Sequence, residues 1–417
     1  MELKSAFSST KAYIISFLKW VLFGLLMGIW GGLLGAGFHH ALHFVTHLRS
    51  HYTWLIFLLP LGGLASVGVY TLFRQRSNRG TNEIIDAVLK GQDVSAKVAP
   101  TIFLASAITH LFGGSAGREG AALQIGGSTA TLLSRGLRLE RRDRRVLIVC
   151  GMSAVFAGLF GTPLTATLFC MEFVTVGMLF SPALLPGYLA AYVASRISGM
   201  LGVHPEGLLL ETVTAVTLGN SWRFLILAAL VSLVGIVMCW LFHKAEHLAQ
   251  HHLPNPWIRI ALGGAVILAI TLLVGDQRYN GAGMEMALGA VEGSANWYDF
   301  LLKMLLTAIT LAAGFKGGEI VPTFCIGATF GCVLGGLLGL DPGLCGALGL
   351  IGLFCCVTNS PFASIVLSIE MFGGANIHLF ALVCVICYVL SGDSGLYSSQ
   401  MHIFHKASAD SKPNTKQ

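Results

Sequence analysis

The first residue in this chain with chemistry to offer is an acid set among apolar residues. Gly113-Gly114-Ser115-Ala116-Gly117-Arg118-Glu119-Gly120 follows an apolar run at 101–112 and leads into another at 121–133. Glu119 therefore falls at a glycine-loosened break between two membrane-type segments. Inside a bilayer, non-helical backbone persists only where protein or a watery cavity surrounds it. The freed N–H groups at the next helix start then form an anion site. A second acid, Glu319, lies in Gly317-Gly318-Glu319-Ile320-Val321-Pro322, where the proline suits a first helical turn. Two helix N-termini aimed at one point make an anion cradle. Capping alone would explain an acid on a surface helix, but at membrane depth an unpaired carboxylate is costly. A carboxyl group is an anion when deprotonated and a hydrogen-bond donor when protonated, so it can hold an anion's place and then release it. That chemistry is a gate coupled to protons, with Glu119 and Glu319 as its proton-linked groups. Arg118 beside the first acid either focuses anions at a vestibule or pairs with the carboxylate.

Other reactive-looking groups have plainer readings. Glu172 and Glu370 each lie nine residues after a proline, Pro163 and Pro361, and are read as pairing at helix ends or in loops rather than serving transport, because intramembrane acids tend to pair. Ser115 fits the G-x-S-x-G elbow of hydrolases, but that motif needs a strand, a turn and a helix in an α/β sheet. His243-Lys244-Ala245-Glu246-His247 fits a metallohydrolase pattern. Yet the row His243, His247, His251 is matched by His39, His43, His47, His51 without the glutamate. A row that keeps its spacing but not its acid is a polar stripe at a helix end, and no metal site is assigned. The ten cysteines lie in or beside apolar runs and are read as small buried hydrophobes.

The elements that must position these groups are membrane helices. Of 417 residues, 54% are hydrophobic and 11% charged, with 51 glycines and a mean hydropathy of +0.74. Soluble domains carry about 25% charged residues. Apolar runs occupy 12–36, 54–73, 101–112, 121–133, 146–160, 164–180 and 182–193, and a similar series runs from 224 to 390. Several fall short of the roughly 20 residues that span a bilayer, which predicts tilted, broken and re-entrant helices. The net charge of +6 sits in short loops, which fits topology better than nucleic-acid binding.

The chain also repeats itself. Glu119, Gly127 and Thr129 match Glu319, Gly327 and Thr329 at an offset of 200, and Pro163 and Glu172 match Pro361 and Glu370 at 198. Phe38-His39 with Ala41 and His43 matches Phe242-His243 with Ala245 and His247 at 204. Residues 135–145 hold six arginines, whereas 335–345 hold no basic residue and one acid, Asp341. Residues 74–79 hold three arginines against one in 275–280. By the positive-inside rule equivalent loops lie on opposite faces, which makes the repeat inverted and places a substrate site near the midplane. The expected division is a cytoplasmic segment 1–11, a first repeat 12–200, a connection 201–222, a second repeat 223–397 and a short polar tail 398–417.

These residues resemble a known family. Gly117-Arg118-Glu119-Gly120 is similar to the external-gate motif of CLC chloride channels and anion/proton exchangers, and the likeness covers nearly the whole chain. Gly317-Gly318-Glu319-Ile320-Val321-Pro322 is similar to the second filter motif, Gly395-Leu396-Tyr397 to the segment whose tyrosine faces the anion, and the segment from Phe160 to Glu172 to a third signature. The resemblance implies that Glu119 is the gating glutamate, that the Ile320 and Val321 amides face the anion and that Tyr397 closes the site. Gly80 and Thr81 stand where the family has a glycine and an anion-facing serine. Phe173 falls where chloride exchangers commonly carry an inner proton glutamate, and Glu319 replaces an aliphatic residue. Those departures resemble the fluoride/proton antiporter branch, although Val321 replaces a hydroxyl residue frequent there. An ionised filter glutamate repels chloride, whereas a protonated one donates a hydrogen bond, which fluoride accepts most strongly of the halides.

The resulting expectation is an all-α polytopic membrane protein with an inverted-topology repeat and broken, re-entrant helices. It would be a homodimer in the cell membrane that exports fluoride in exchange for protons and needs no cofactor. The alternatives are a chloride/proton exchanger or passive chloride channel on the same fold and, from another class, an intramembrane hydrolase using Ser115 or the His243 motif.

Overall fold

The computed structural model describes residues 2–75, 79–205, 207–210, 214, 217–403 and 406. Among them, sixteen α-helices form two series of eight. The first is α1 (Glu2–His51), α2 (Leu59–Leu72), α3 (Thr81–Lys90), α4 (Val98–Phe112), α5 (Glu119–Gly136), α6 (Arg141–Phe160), α7 (Pro163–Glu172) and α8 (Leu184–Met200). The second is α9 (Leu218–His252), α10 (Pro256–Val274), α11 (Met284–Val291), α12 (Asp299–Ala313), α13 (Ile320–Leu337), α14 (Pro342–Thr358), α15 (Pro361–Phe372) and α16 (Ile377–Leu390). Two-residue strands, β1 (Thr175–Val176) and β2 (Met401–His402), pair in parallel and tie the C-terminal segment to the first half.

Five of the described helical segments are long and apolar enough to cross a membrane. Others are half that length: α7 has 10 residues, about 15 Å at the rise of an α-helix, against a hydrocarbon core about 30 Å thick. Helices that stop at mid-depth need a partner for their freed backbone, and here the glycine breaks supply the stops. Gly113 (φ +87) ends α4 and Gly314 (φ +103) ends α12 in the left-handed region, which a Cβ disfavours.

The halves correspond helix by helix, but the register at the two acids differs from the one read in the sequence. α4 and α12 are both 15 residues long and α5 and α13 both 18, each pair starting 201 apart. A Cβ on Gly126 would overlap the Gly151 carbonyl of α6, and one on Gly327 the Gly349 carbonyl of α14, so the same close crossing recurs at 201. Glu319 is thus the counterpart of Arg118, and Ile320 that of Glu119. Matching the two acids misled the alignment by one residue, because glycine-rich loops carry little to hold a register.

Three boundaries also move. Residues 164–180 are not one span: α7 ends at Glu172, and the chain turns through β1. The connection placed at 201–222 ends early, because a capping box between Thr217 and Asn220 starts α9 at Leu218, ahead of the apolar run. At the other end, α1 extends through the segment 1–11 from Glu2. Most of the tail 398–417 and part of the loop 74–79 lie outside the described residues.

Candidate functional site

The site forms where the two glycine breaks meet. The Gly117 amide donates to the Gly318 carbonyl at 2.7 Å and the Gly318 amide to the Gly117 carbonyl at 2.8 Å. This reciprocal bridge sets the starts of α5 and α13 side by side. The Glu119 side chain, fully buried, folds back over the bridge: a Cβ on Gly117 or Gly318 would overlap its Oε2. The Arg118 amide donates to Oε2 at 3.1 Å, and the amides of Glu119 itself and of Val321 also face the carboxylate. An anionic side chain therefore rests on the free N–H groups of two helix starts, the place that helix dipoles and unpaired amides make favourable for an anion.

Three polar atoms near this point have no hydrogen-bond partner among the described residues: Glu119 Oε1, Glu319 Oε2 and Tyr397 Oη. Both carboxylates lie close enough to Tyr397 for their charges to act on its hydroxyl. A buried polar group left without a partner costs about 1–3 kcal/mol, so three converging on one place suit a site that an ion or water completes.

Each predicted residue has a definite place. Gly80 (φ +55) is the N-cap of α3, and Thr81, the first residue of that helix, puts its Oγ1 only 3.0 Å from where a Cβ on Gly120 would sit. A third helix start thus reaches the site. Ile320 and Val321 open α13, are fully buried and contribute amides from the unbonded first turn. Arg118 turns its guanidinium away from the bridge, 5.0 Å from the Phe160 ring centroid, with Nη1 3.4 Å from His39 Nδ1. Tyr397 lies on irregular backbone held from several sides. The Leu396 amide donates to the Val357 carbonyl, the Gln400 side chain to the Phe173 and Thr358 carbonyls, and the Ser399 amide to Asn82 Oδ1.

A cavity approaches the bridge from each side. One, about 360 Å³, is lined by His39, Leu42, Thr46, Arg49, His110 and Arg118 together with part of the 275–280 loop. The other, about 140 Å³, is lined by Arg79, Thr81, His243, Glu246, Lys316, Glu319 and Tyr397. Val321 borders the first and Glu319 the second. The bridge and the Glu119 carboxylate stand between them.

Residues 62–392 match the family model described as voltage-gated chloride channel. The chain belongs to that family. Other comparisons sharpen its place in it. A Pseudomonas syringae "chloride/fluoride channel protein" is 33% identical over 389 residues, covering 92% of this chain and 86% of that one. A Vibrio cholerae "H(+)/Cl(-) exchange transporter ClcA" is 26% identical over 92% of this chain and 89% of its own. The crystal structure of a CLC-type fluoride/proton antiporter superposes with a TM-score of 0.90 at 33% identity, over 93% of this chain and 99% of that one. A cyanobacterial Cl−/H+ antiporter structure, at 22% identity and TM-score 0.76, shares the fold. The protein is accordingly an all-α, multi-pass membrane protein of the CLC family.

Within this CLC member, Phe173 is buried. It stacks on Phe169 with centroids 4.7 Å apart and meets Tyr397 edge-on at 5.6 Å. Glu172 and Glu370 do not enter the site. Glu172 accepts from the Phe362 and Ala363 amides at the start of α15, and Glu370 from the Leu164 and Thr165 amides at the start of α7. Each short helix is capped by the glutamate at or near the other's end, one form of the helix-end or loop pairing expected. Ser115 is fully buried and hydrogen-bonded to Thr307 Oγ1 at 2.9 Å.

Sequence reasoning overlooked Lys303. This fully buried lysine in the middle of α12 donates to Ser115 Oγ (3.0 Å) and to the Tyr279 (3.0 Å) and Gly281 (2.7 Å) carbonyls. With the Asn280 side chain donating to the Gly113 carbonyl, it pins the loop that delivers Glu119. A lone cation in the apolar stretch 300–313 was the available signal.

Proposed function

We propose that this chain moves fluoride out of the cell in exchange for protons moving in, through one anion pathway per subunit. One observation carries the reading. At the meeting of three helix starts, two carboxyl groups, Glu119 and Glu319, each present an oxygen without a protein partner beside the unpartnered Tyr397 hydroxyl. When ionised, two acids repel an anion. When protonated, they become donors, and a site that offers O–H groups favours the halide that accepts hydrogen bonds most strongly. Fluoride is that halide. Anion occupancy is thereby tied to proton occupancy, which is the basis of exchange.

In this mechanism Glu119 competes with the anion for the amides of Arg118 and Val321 and leaves when protonated. Glu319 supplies the second proton-linked group, and Thr81, Gly120, Ile320 and Tyr397 complete the anion's surroundings from three sides. Arg118, with Arg49, gives the larger cavity a positive lining that draws anions toward its mouth. The arginine-rich loops at 74–79 and 135–145 face the cytoplasm, so the cavity bordered by Arg79 is the inner one, the cavity bordered by 275–280 is the outer one, and the two repeats are inverted. The protein works as a homodimer embedded in lipid, a state that cross-linking in membranes reads directly. A Ser115 hydrolase finds no support in the geometry, because Ser115 is fully buried and bonded to Thr307 and Lys303 rather than to a histidine base.

The test is ion flux from proteoliposomes loaded with fluoride or chloride, with external pH recorded. Fluoride efflux should draw protons inward, and Glu119→Gln should abolish that proton movement. Glu319→Ile should raise chloride flux relative to fluoride. Equal fluoride and chloride flux without proton movement would mean a passive channel, and chloride-preferring proton exchange would assign the alternative exchanger.

A further inference from the structure

The two cavities are built by equivalent faces of equivalent helices, yet their chemistry differs. His39, Leu42 and Thr46 of α1 line the outer one, and His243, Glu246 and Gln250 of α9 the inner one, each pair 204 apart. At the cavity floors Arg118 is matched by Glu319. An acid therefore replaces leucine on the wall and arginine on the floor, and both changes occur on the inner side only.

We propose that Glu246 is the inner proton port: it exchanges protons with cytoplasmic water and passes them to and from Glu319 across the 140 Å³ cavity. The assignment rests on the proton-exchange reading above. Three observations converge on it. Glu246 is exposed, and its Oε1 accepts from Gln250 Nε2 at 2.9 Å, so it meets water. Its charge acts on both Lys316 and Glu319, so it stands within electrostatic reach of the site. Glu319 Oε2 is buried without a partner and borders the same cavity. At the end of α7, Glu172 is taken up by the Phe362 and Ala363 amides, and the buried Phe173 beside it has no titratable group. Arg79, Arg259 and Lys316 supply the positive charge around the cavity, His243 lies beside it, and Tyr397 borders it while Glu119 acts on Glu319 from beyond.

The step is a proton transfer and nothing more. The O–H bond of the Glu319 carboxyl breaks, an O–H bond forms on the Glu246 carboxylate through intervening water, and the proton leaves to bulk solvent. The histidine-row acid that looked like a stray hydrolase residue thereby gains a role.

Proteoliposome exchange with the inner pH varied tests this directly. Wild type must move protons against fluoride, and its failure to do so would overturn the exchange reading itself. Given wild-type coupling, Glu246→Gln should slow coupled exchange by about a hundredfold, the lower range for a positioned proton-transfer group, and flatten the dependence on inner pH. Glu246→Asp should keep most of the rate, and adding Gln250→Glu to Glu246→Gln, which moves the acid one turn along the same face, should restore part of it. Wild-type rates in Glu246→Gln would sink the proposal. So would an equal loss in Glu246→Asp with no recovery in the double variant, since that pattern signals a packing role.

Discussion

Tyr397 is held tightly by its backbone neighbours while its hydroxyl has no protein partner, an arrangement that reserves the O–H for a transported ion. Tyr397→Phe should therefore keep the fold and lose one hydrogen bond to the anion, about 1 kcal/mol, or roughly a fivefold weaker fluoride affinity by calorimetry. An unchanged affinity would place the hydroxyl outside the anion's reach. Lys303 behaves in the opposite way, since all its hydrogen bonds are to protein. Lys303→Met leaves two carbonyls and Ser115 without their donor, and the expected loss is about 3 kcal/mol of stability, seen as a lower Tm in detergent together with slower flux from a loosened Glu119 loop. At this scale the two central acids were legible because charge inside an apolar run is rare and conspicuous. Lys303 and Glu246 were equally visible as letters. Their roles depend on what faces them from residues 279–281 and 316–319, which no spacing within one helix reveals.

Among the elements, the antiparallel pair α7 and α15 is the most self-contained device. Two helices too short to cross the bilayer each set their start against the other's end, and each carboxylate satisfies two amides that would otherwise be orphaned. Glu172→Gln should cost about 2 kcal/mol, since bonds to charged acceptors are worth about 1.5–3 kcal/mol. Glu370→Gln should cost less, because Glu370 is only half-buried. Thermal unfolding would show the order, and halide preference should stay unchanged in both. The nine-residue spacing from proline to glutamate marked the two acids as equivalent and structural, but that each caps the other's helix is not in the spacing. The end of α7 was not readable the same way, because hydropathy treats 164–180 as uniform and does not register that Glu172 is satisfied across the helix pair. The start of α9 was missed for a related reason: its first turn is polar, held by a cap rather than by burial.

At the scale of the whole molecule, the repeat supplies a frame and the differences between copies supply direction. With acid outside, fluoride efflux should accelerate, and reversing the pH gradient should drive fluoride uptake by the same molecules; a flux indifferent to the gradient would contradict exchange. The inversion was legible from loop charge, and the correspondence of helices from three sequence anchors. The one-residue error at the acids was not correctable from sequence, because only the paired glycines show that Glu319 answers to Arg118.

Those paired glycines also say what kind of machine this is. Two halves joined at their centre by a closed ring of backbone bonds resist swinging apart like the jaws of a rocking carrier. A bridge that holds through the cycle leaves short carboxyl arms as the moving parts, with almost no change in volume or cross-sectional area. The surrounding lipid then has little work to do or resist. Turnover should be nearly indifferent to bilayer thickness and lateral pressure, and comparing flux in vesicles of short-chain and long-chain lipids would measure that stiffness.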